Sequence, residues 1–184
     1  MFDRRIKLFI IVSIIVIIVD HLTKWIIKST MELYQTIRVL GDFFTISYIL
    51  NSGIAFGLFD QHQSPHKSLL LIVISILALG IILYIFFSLP KTIKLSGLAM
   101  GLIFGGAIGN IIDRIVRGRV IDFFDFDFPD ISIRALRIHM TRWPTFNVAD
   151  TCVLVGIILL LIIIIIHGGE SEKKGAEELH LSNR

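Results

Sequence analysis

A chain of 184 residues with 54% hydrophobic residues, only 18% charged residues and a mean hydropathy of +0.80 is too apolar for an ordinary soluble domain. Its net charge of +3 comes from basic residues scattered between apolar stretches, which form no continuous patch. That argues against a nucleic-acid partner and for lipid headgroups. The single cysteine, Cys152, excludes an intrachain disulfide and a cysteine-based metal cluster, and reads as a small buried apolar residue.

A hydrocarbon core of roughly 30 Å takes about 20 apolar residues per helix. The sequence therefore predicts an integral membrane protein, all-α in class, with four transmembrane helices at about 8–27, 68–89, 95–112 and 148–166. Arg4-Arg5-Ile6-Lys7 before the first span resembles a secretory signal. No small-x-small cleavage site precedes Asp20 and Lys24, so this span is expected to be retained. Both termini then share one side of the membrane, and the long connections 29–67 and 113–147 share the other. Lys and Arg divide almost evenly between the sides, so charge does not orient the chain.

In the first long connection, Phe44, Ile46, Tyr48 and Leu50 alternate with Thr45, Ser47 and Ile49, which predicts a strand. Asn51-Ser52-Gly53 reads as a turn, and Ile54–Phe59 as a returning strand of a small β element on the membrane surface. Ser64-Pro65 suits the start of the second helix. In the third span Gly97, Gly101, Gly105 and Gly109 recur every fourth residue, clearing one face for another helix. The polar stretch 168–184 is expected to be a disordered tail behind a membrane domain of residues 1–167.

Ionisable groups in or beside a span cost a few kcal/mol on insertion scales, so each asks for a partner or a purpose. Asp20 and Lys24 stand one helical turn apart, acid first, as an ion pair would. Gly106, Asn110, Asp113 and Arg114 form one stripe at the end of the third span, either a wet helix rim or a surface facing the bundle. Asn147 can cap the fourth helix, with Asp150 in its first turn. Asp122 sits in Val120-Ile121-Asp122-Phe123, ahead of a Phe124, Phe126, Phe128 alternation with Asp125 and Asp127 between, which reads as an interfacial strand with its carboxylates in water. Topology offers a sharper reading: Asp122 follows the third span and Asp150 opens the fourth, so both return to the same face. Two carboxylates about 3 Å apart cannot both ionise, and such a dyad can activate water and protonate a leaving amine.

Four segments resemble the lipoprotein signal peptidase family: Asp20-x-x-Thr23-Lys24; Asn51-x-Gly53-x-Ala55-Phe56; the run from Gly105-Gly106 through Asn110-x-x-Asp113-Arg114 to Gly118-x-Val120-x-Asp122-Phe123; and Trp143-Pro144-x-Phe146-Asn147-x-Ala149-Asp150. The resemblance implies a membrane aspartic endopeptidase with Asp122 and Asp150 catalytic. Asp20, Lys24, Asn51, Gly106, Asn110, Asp113, Arg114, Asn147 and Ala149 would line or brace its pocket. Asn51 and Arg114 are expected to hold backbone or ester oxygens of the substrate.

It further implies cleavage of prolipoproteins on the amino side of a diacylglyceryl-modified cysteine, by a monomer needing no cofactor or metal. The site would lie near the outer face of the bacterial cytoplasmic membrane, beside an extracytoplasmic β element, with both termini cytoplasmic and membrane lipids as further partners. The stretch between Phe123 and Trp143 is long for the family and carries Arg134, Arg137, His139 and Arg142 among apolar residues. It could rest on headgroups or cover the substrate. Three other readings stay open: an ion- or proton-coupled transport subunit, a hard-cation site at Asp122, Asp125, Asp127, Asp130 and His139, and a purely structural membrane scaffold.

Overall fold

The computed structural model describes residues 3–53, 65–127, 131–133, 138–140 and 142–182. In chain order it contains helix α1 (Arg4–Thr30), strands β1 (Thr36–Leu40) and β2 (Phe44–Asn51), and helices α2 (Pro65–Ser88) and α3 (Leu95–Arg117). Strands β3 (Val120–Phe126), β4 (Ile131–Ile133) and β5 (Ile138–Met140) follow, and then helix α4 (Val148–Ser182). Four helical stretches are long and apolar enough to cross a membrane: Arg4–Thr30, Ser68–Ser88, Leu95–Arg117 and Val148–Ile166. The first and third outrun the expected limits, because Arg5 and Asp113 near their ends are buried and paired while Arg4, Lys7, Lys28 and Arg117 continue the helices as exposed residues. A charged residue there does not mark the end of the helix.

α3 is the central helix, with 61% of its apolar window buried against 11–22% in the other three. The glycine stripe explains how. Gly97 lies against the Arg5 backbone, Gly101 against Phe9 and Val12, Gly105 against Ser13 and Val16, and Gly109 against the Asp20 carboxylate, so α1 seats directly on α3. Gly106 does the same for α4 at Ala149 and Val153, and Gly156 of α4 receives Ile103 and the backbone of Ala99. Side chains in these places would hold the helices apart and forfeit close packing, the main attraction available between helices in lipid.

At the end away from the strands, Phe86, Ile93, Ala99, Met100, Ile103, Leu160 and Ile163 form one apolar cluster. Arg5, expected to serve the headgroups, is instead buried. Its Nη1 donates to the carbonyls of Phe86 (3.1 Å) and Leu89 (2.8 Å), and its guanidinium lies 4.4 Å from the centre of the Phe86 ring. A cation there satisfies the exposed carbonyls that end α2.

At the other end β1, β2 and β3 form an antiparallel sheet in that order. Ile121, Phe123 and Tyr48 pack on Ile27 and Met31 at the end of α1. β2 is the expected strand, but its partners are β1 before it and β3 far along the chain. The expected returning strand Ile54–Phe59 lies outside the described residues. β1 is fully exposed along its length, so it carries none of the inward alternation that marks a strand in sequence. Gly118 ends α3 with φ +70°, a left-handed cap that turns the chain straight into Val120.

The helix α4 does not stop at Ile166; its backbone stays helical to Ser182, through the stretch expected to be a disordered tail. The sequence after Ile166 contains no proline, and its Ala, Glu, Lys and Leu are good helix formers.

The glycine face yields a stability prediction. In Gly101→Leu a Cβ would meet Val12 Cβ at 2.6 Å and the Phe9 carbonyl oxygen at 3.0 Å. The melting temperature in detergent should fall, by an overpacking cost of about 1–3 kcal/mol. Gly80→Leu, where nothing lies within 4 Å of the added Cβ, should leave it unchanged.

Candidate active site

A pocket of about 420 Å³ opens between the sheet and the ends of α3 and α4. Asn51, Asn110, Arg114, Asp122 and Asp150 supply its charged and amide groups, and Val120, Trp143, Pro144, Phe146 and Leu154 its apolar wall. Asp122 reaches it from the middle of β3 and Asp150 from the first turn of α4.

Asn147 ties the two acids together. Its Nδ2 donates to Asp122 Oδ1 at 2.7 Å, and its backbone N–H donates to Asp150 Oδ2 at 3.2 Å. Its own Oδ1 accepts the Asp150 backbone N–H at 2.9 Å. This reciprocal cap is the structural role foreseen for the pair, with aspartate in the place usual for Glu or Gln. It also sets the geometry of the site, because the cap holds the Asp150 carboxylate beside Asp122.

Each acid has a second amide donor. Asn51 Nδ2 lies 2.8 Å from Asp122 Oδ2, and Asn110 Nδ2 lies 2.8 Å from Asp150 Oδ1. Asn51 gets there through a β-bulge. The β2–β3 register shifts between Ile46 and Ile49, so Ser47 and Tyr48 share the inner face and Asn51 emerges on the same face as Asp122. Without the extra residue Asn51 would point away, the re-aiming that bulges provide.

Behind the pocket lies a buried ionic network. Lys24 Nζ contacts Asp20 Oδ2 (2.7 Å), Asp113 Oδ2 (2.8 Å) and Asn110 Oδ1 (3.0 Å), and Lys24, Asp20 and Asp113 are all 0% exposed. Asp20 Oδ1 accepts the Ala149 N–H at 3.0 Å, and Asp113 also pairs with Arg117. The foreseen Asp20–Lys24 pair is therefore half of a larger cluster that joins α1, α3 and the first turn of α4. Asn110, Asp113 and Gly106 face the bundle rather than a wet rim, while Arg114 lines the pocket. Lys24 also fixes the Asn110 amide: an ammonium must face Oδ1, which leaves Nδ2 for Asp150.

Removal from water, then the neighbouring Asp150 carboxylate, push the Asp122 carboxyl up to about 7, against the lowering effect of the Asn51 and Asn147 donors. Asp122 can therefore keep a proton near neutral pH.

Asp125, expected in water, is buried on the opposite face of β3, where it accepts from Thr45 Oγ1 and Ser47 Oγ, both at 3.1 Å. Alternation along the strand thus separates Asp122 from Asp125, and they form no common cation site. Asp130 and the side chain of His139 lie outside the described residues. Among the described residues, no group of three or more His, Cys, Asp or Glu could hold a metal ion. Thr145, Thr151 and Leu154 of the pocket carry no sequence signal of their own, and the Thr45–Ser47–Asp125 cluster carries none because isolated hydroxyls in strands form no pattern.

Residues 12–166 match the family of signal peptidase (SPase) II. This chain belongs to the signal peptidase II family. The lipoprotein signal peptidase of Symbiobacterium thermophilum is 36% identical over 148 residues, covering 80% of this chain and 88% of that protein. That of Geobacter sulfurreducens is 38% identical over 143 residues, 78% and 82% of the two chains. A bacterial membrane enzyme solved by the in meso method at 2.3 Å resolution superposes with a TM-score of 0.72 at 30% identity, covering 90% of this chain and 92% of that one. A signal peptidase II is a protease, and the four apolar helices with this fold make the chain a multi-pass bacterial membrane protein.

Substitutions at Lys24, Asp113 and Asp122 probe the site. Lys24→Met leaves two buried carboxylates facing each other and should destabilise the protein by about 3–5 kcal/mol; adding Asp113→Asn should restore part of the loss in a detergent melt. Asp122→Asn should raise the melting temperature more at pH 8 than at pH 5. A carboxyl raised to about 7 in the folded protein loses its stabilising contribution as pH climbs through that value, and the amide does not titrate.

Proposed function

We propose that this protein removes signal peptides from prolipoproteins by hydrolysing the peptide bond on the amino side of a diacylglyceryl-modified cysteine, with Asp122 and Asp150 as an aspartic dyad. Prolipoprotein processing follows from membership of the signal peptidase II family. The observation that carries the dyad is that Asp122 and Asp150 share one pocket and are bridged by Asn147.

In this reading Asp122 holds the shared proton and Asp150 is the base. Asp150 accepts a backbone N–H at a helix N-terminus, where negative charge is favoured, and Asp122 stays protonated up to about pH 7. A water between them gives a proton to Asp150 as its oxygen attacks the scissile carbonyl, while the Asp122 hydroxyl donates to the carbonyl oxygen. The tetrahedral adduct then collapses: the C–N bond breaks and the amine leaves with the proton from Asp150. The proton on the second hydroxyl returns to Asp122, closing the cycle. Asn110 and Asn51 hold the acids from outside, and Arg114 at the pocket edge suits an ester or peptide oxygen of the substrate.

We place the pocket and the three-stranded sheet at the outer face of the cytoplasmic membrane and both termini in the cytoplasm. The acyl chains stay in lipid and the signal-peptide helix lies along the bundle. Residues 1–167 act as one membrane peptidase unit, in a monomer.

The test is cleavage of a diacylated prolipoprotein peptide by the purified protein in detergent. The parent should cut before the lipidated cysteine with or without chelator, and Asp122→Asn and Asp150→Asn should each lose at least about a thousandfold in kcat. Normal cutting by either variant removes it from the mechanism. With Asp122 as the protonated partner, kcat/KM should fall as pH rises through about 7. A profile flat from pH 6 to 9 would assign the proton elsewhere.

A further inference from the structure

Asp125 is a buried acid that the dyad does not use, and neither it nor Arg142 lies in the segments that resemble the family. Its Oδ2 is occupied by Thr45 and Ser47, and Ser47 Oγ shares a further hydrogen bond of 2.9 Å with Thr36 Oγ1. Oδ1 is left for Arg142 Nε at 3.2 Å, with side-chain exposures of 12% for Asp125 and 45% for Arg142. The carboxylate is thus held rigidly by two strands and reaches out to one partner.

Where Arg142 sits gives the pair its meaning. The chain leaves the sheet at Asp127, whose N–H donates to the Phe43 carbonyl at 2.9 Å, and returns at Trp143, whose N–H donates to the Phe126 carbonyl at 3.1 Å. Phe146 and Phe124 then exchange backbone hydrogen bonds of 3.0 and 2.8 Å. Trp143, Pro144, Thr145 and Phe146 form one wall of the pocket, so that wall begins at the residue directly after Arg142. Closing an excursion of about fifteen residues costs conformational entropy that falls on its neck. An ion pair at the return point opposes fraying there, on the face of β3 opposite the pocket and one residue before the pocket wall begins.

We propose that the Asp125–Arg142 pair is a positioning latch for the Trp143–Phe146 wall, governing capture of the substrate segment beside the cleaved bond and leaving the chemical step alone. The proposal rests on the prolipoprotein peptidase reading for its substrate. Arg142 and Asp125 act through Trp143 and its neighbours and are not catalytic residues.

The chain has two tryptophans, so Trp25→Phe, at an exposed position of α1, leaves Trp143 as a sole reporter. In that background, Arg142→Ala, Asp125→Asn and the double variant are compared with the parent as full chains in detergent. Asp125→Asn keeps an acceptor for Thr45 and Ser47 while removing the charge. Each single variant should raise KM for a diacylated prolipoprotein peptide by about two- to fivefold, the range of a partly exposed ion pair, with kcat unchanged. The double variant should be no worse than either single one, and the Trp143 anisotropy of the free protein should fall. An unchanged KM, a fall in kcat at constant KM, or additive single effects would overturn the proposal. If the parent does not cut the peptide at all, the peptidase reading fails instead, and an unchanged Trp143 anisotropy would still refute the latch.

Discussion

The ammonium of Lys24 is the point on which the assembled site depends. It is fully buried against Asp20, Asp113 and Asn110, and these residues come from α1 and α3. Through Asp20 to the Ala149 N–H, and through Asn110 to the Asp150 carboxylate, the same charge sets the position of the first turn of α4. An isolated charge at this depth would be prohibitively costly. Paired with two carboxylates and an amide oxygen, while Arg117 helps to balance the second carboxylate, it becomes a fixed centre on which the helices converge.

The pocket then results from small corrections to regular structure. Glycines let α1 and α4 press on α3 from two sides, which brings the ends of α3 and α4 close enough for Asn110 to span them. A left-handed glycine sends the chain from α3 into β3 without slack, and the bulge in β2 rotates Asn51 onto the Asp122 face. The helix cap at Asn147 satisfies backbone donors and orients a carboxylate at once. The residues that hold the helices together are therefore also the ones that shape the pocket.

The two ends of the molecule are built differently. Away from the site, aromatic and aliphatic packing dominates, and Arg5 closes the end of α2. At the site end the contacts are mostly charged or amide hydrogen bonds, whose strength rises as water is excluded. A rigid apolar foot and a polar head allow the acids to be held in place while the pocket remains open.

Much of this was legible from sequence because a bilayer admits few backbone solutions and penalises unpaired charge. Long apolar runs had to be helices, every fourth glycine had to be a packing face, and Asp20 and Lys24 had to meet across one helical turn. The return of Asp122 and Asp150 to one face followed from counting spans. Tertiary structure alone decided the rest. The fully exposed β1 lacks alternation, the register shift in β2 depends on pairing with a strand some 70 residues away, and the side on which Asp125 falls depends on that pairing too. Lys24 needed Asp113 and Asn110 from another helix before its pair with Asp20 became a junction. Local sequence fixes how a segment can fold and what it cannot leave unpaired; which distant group satisfies it is set only when the helices and strands pack.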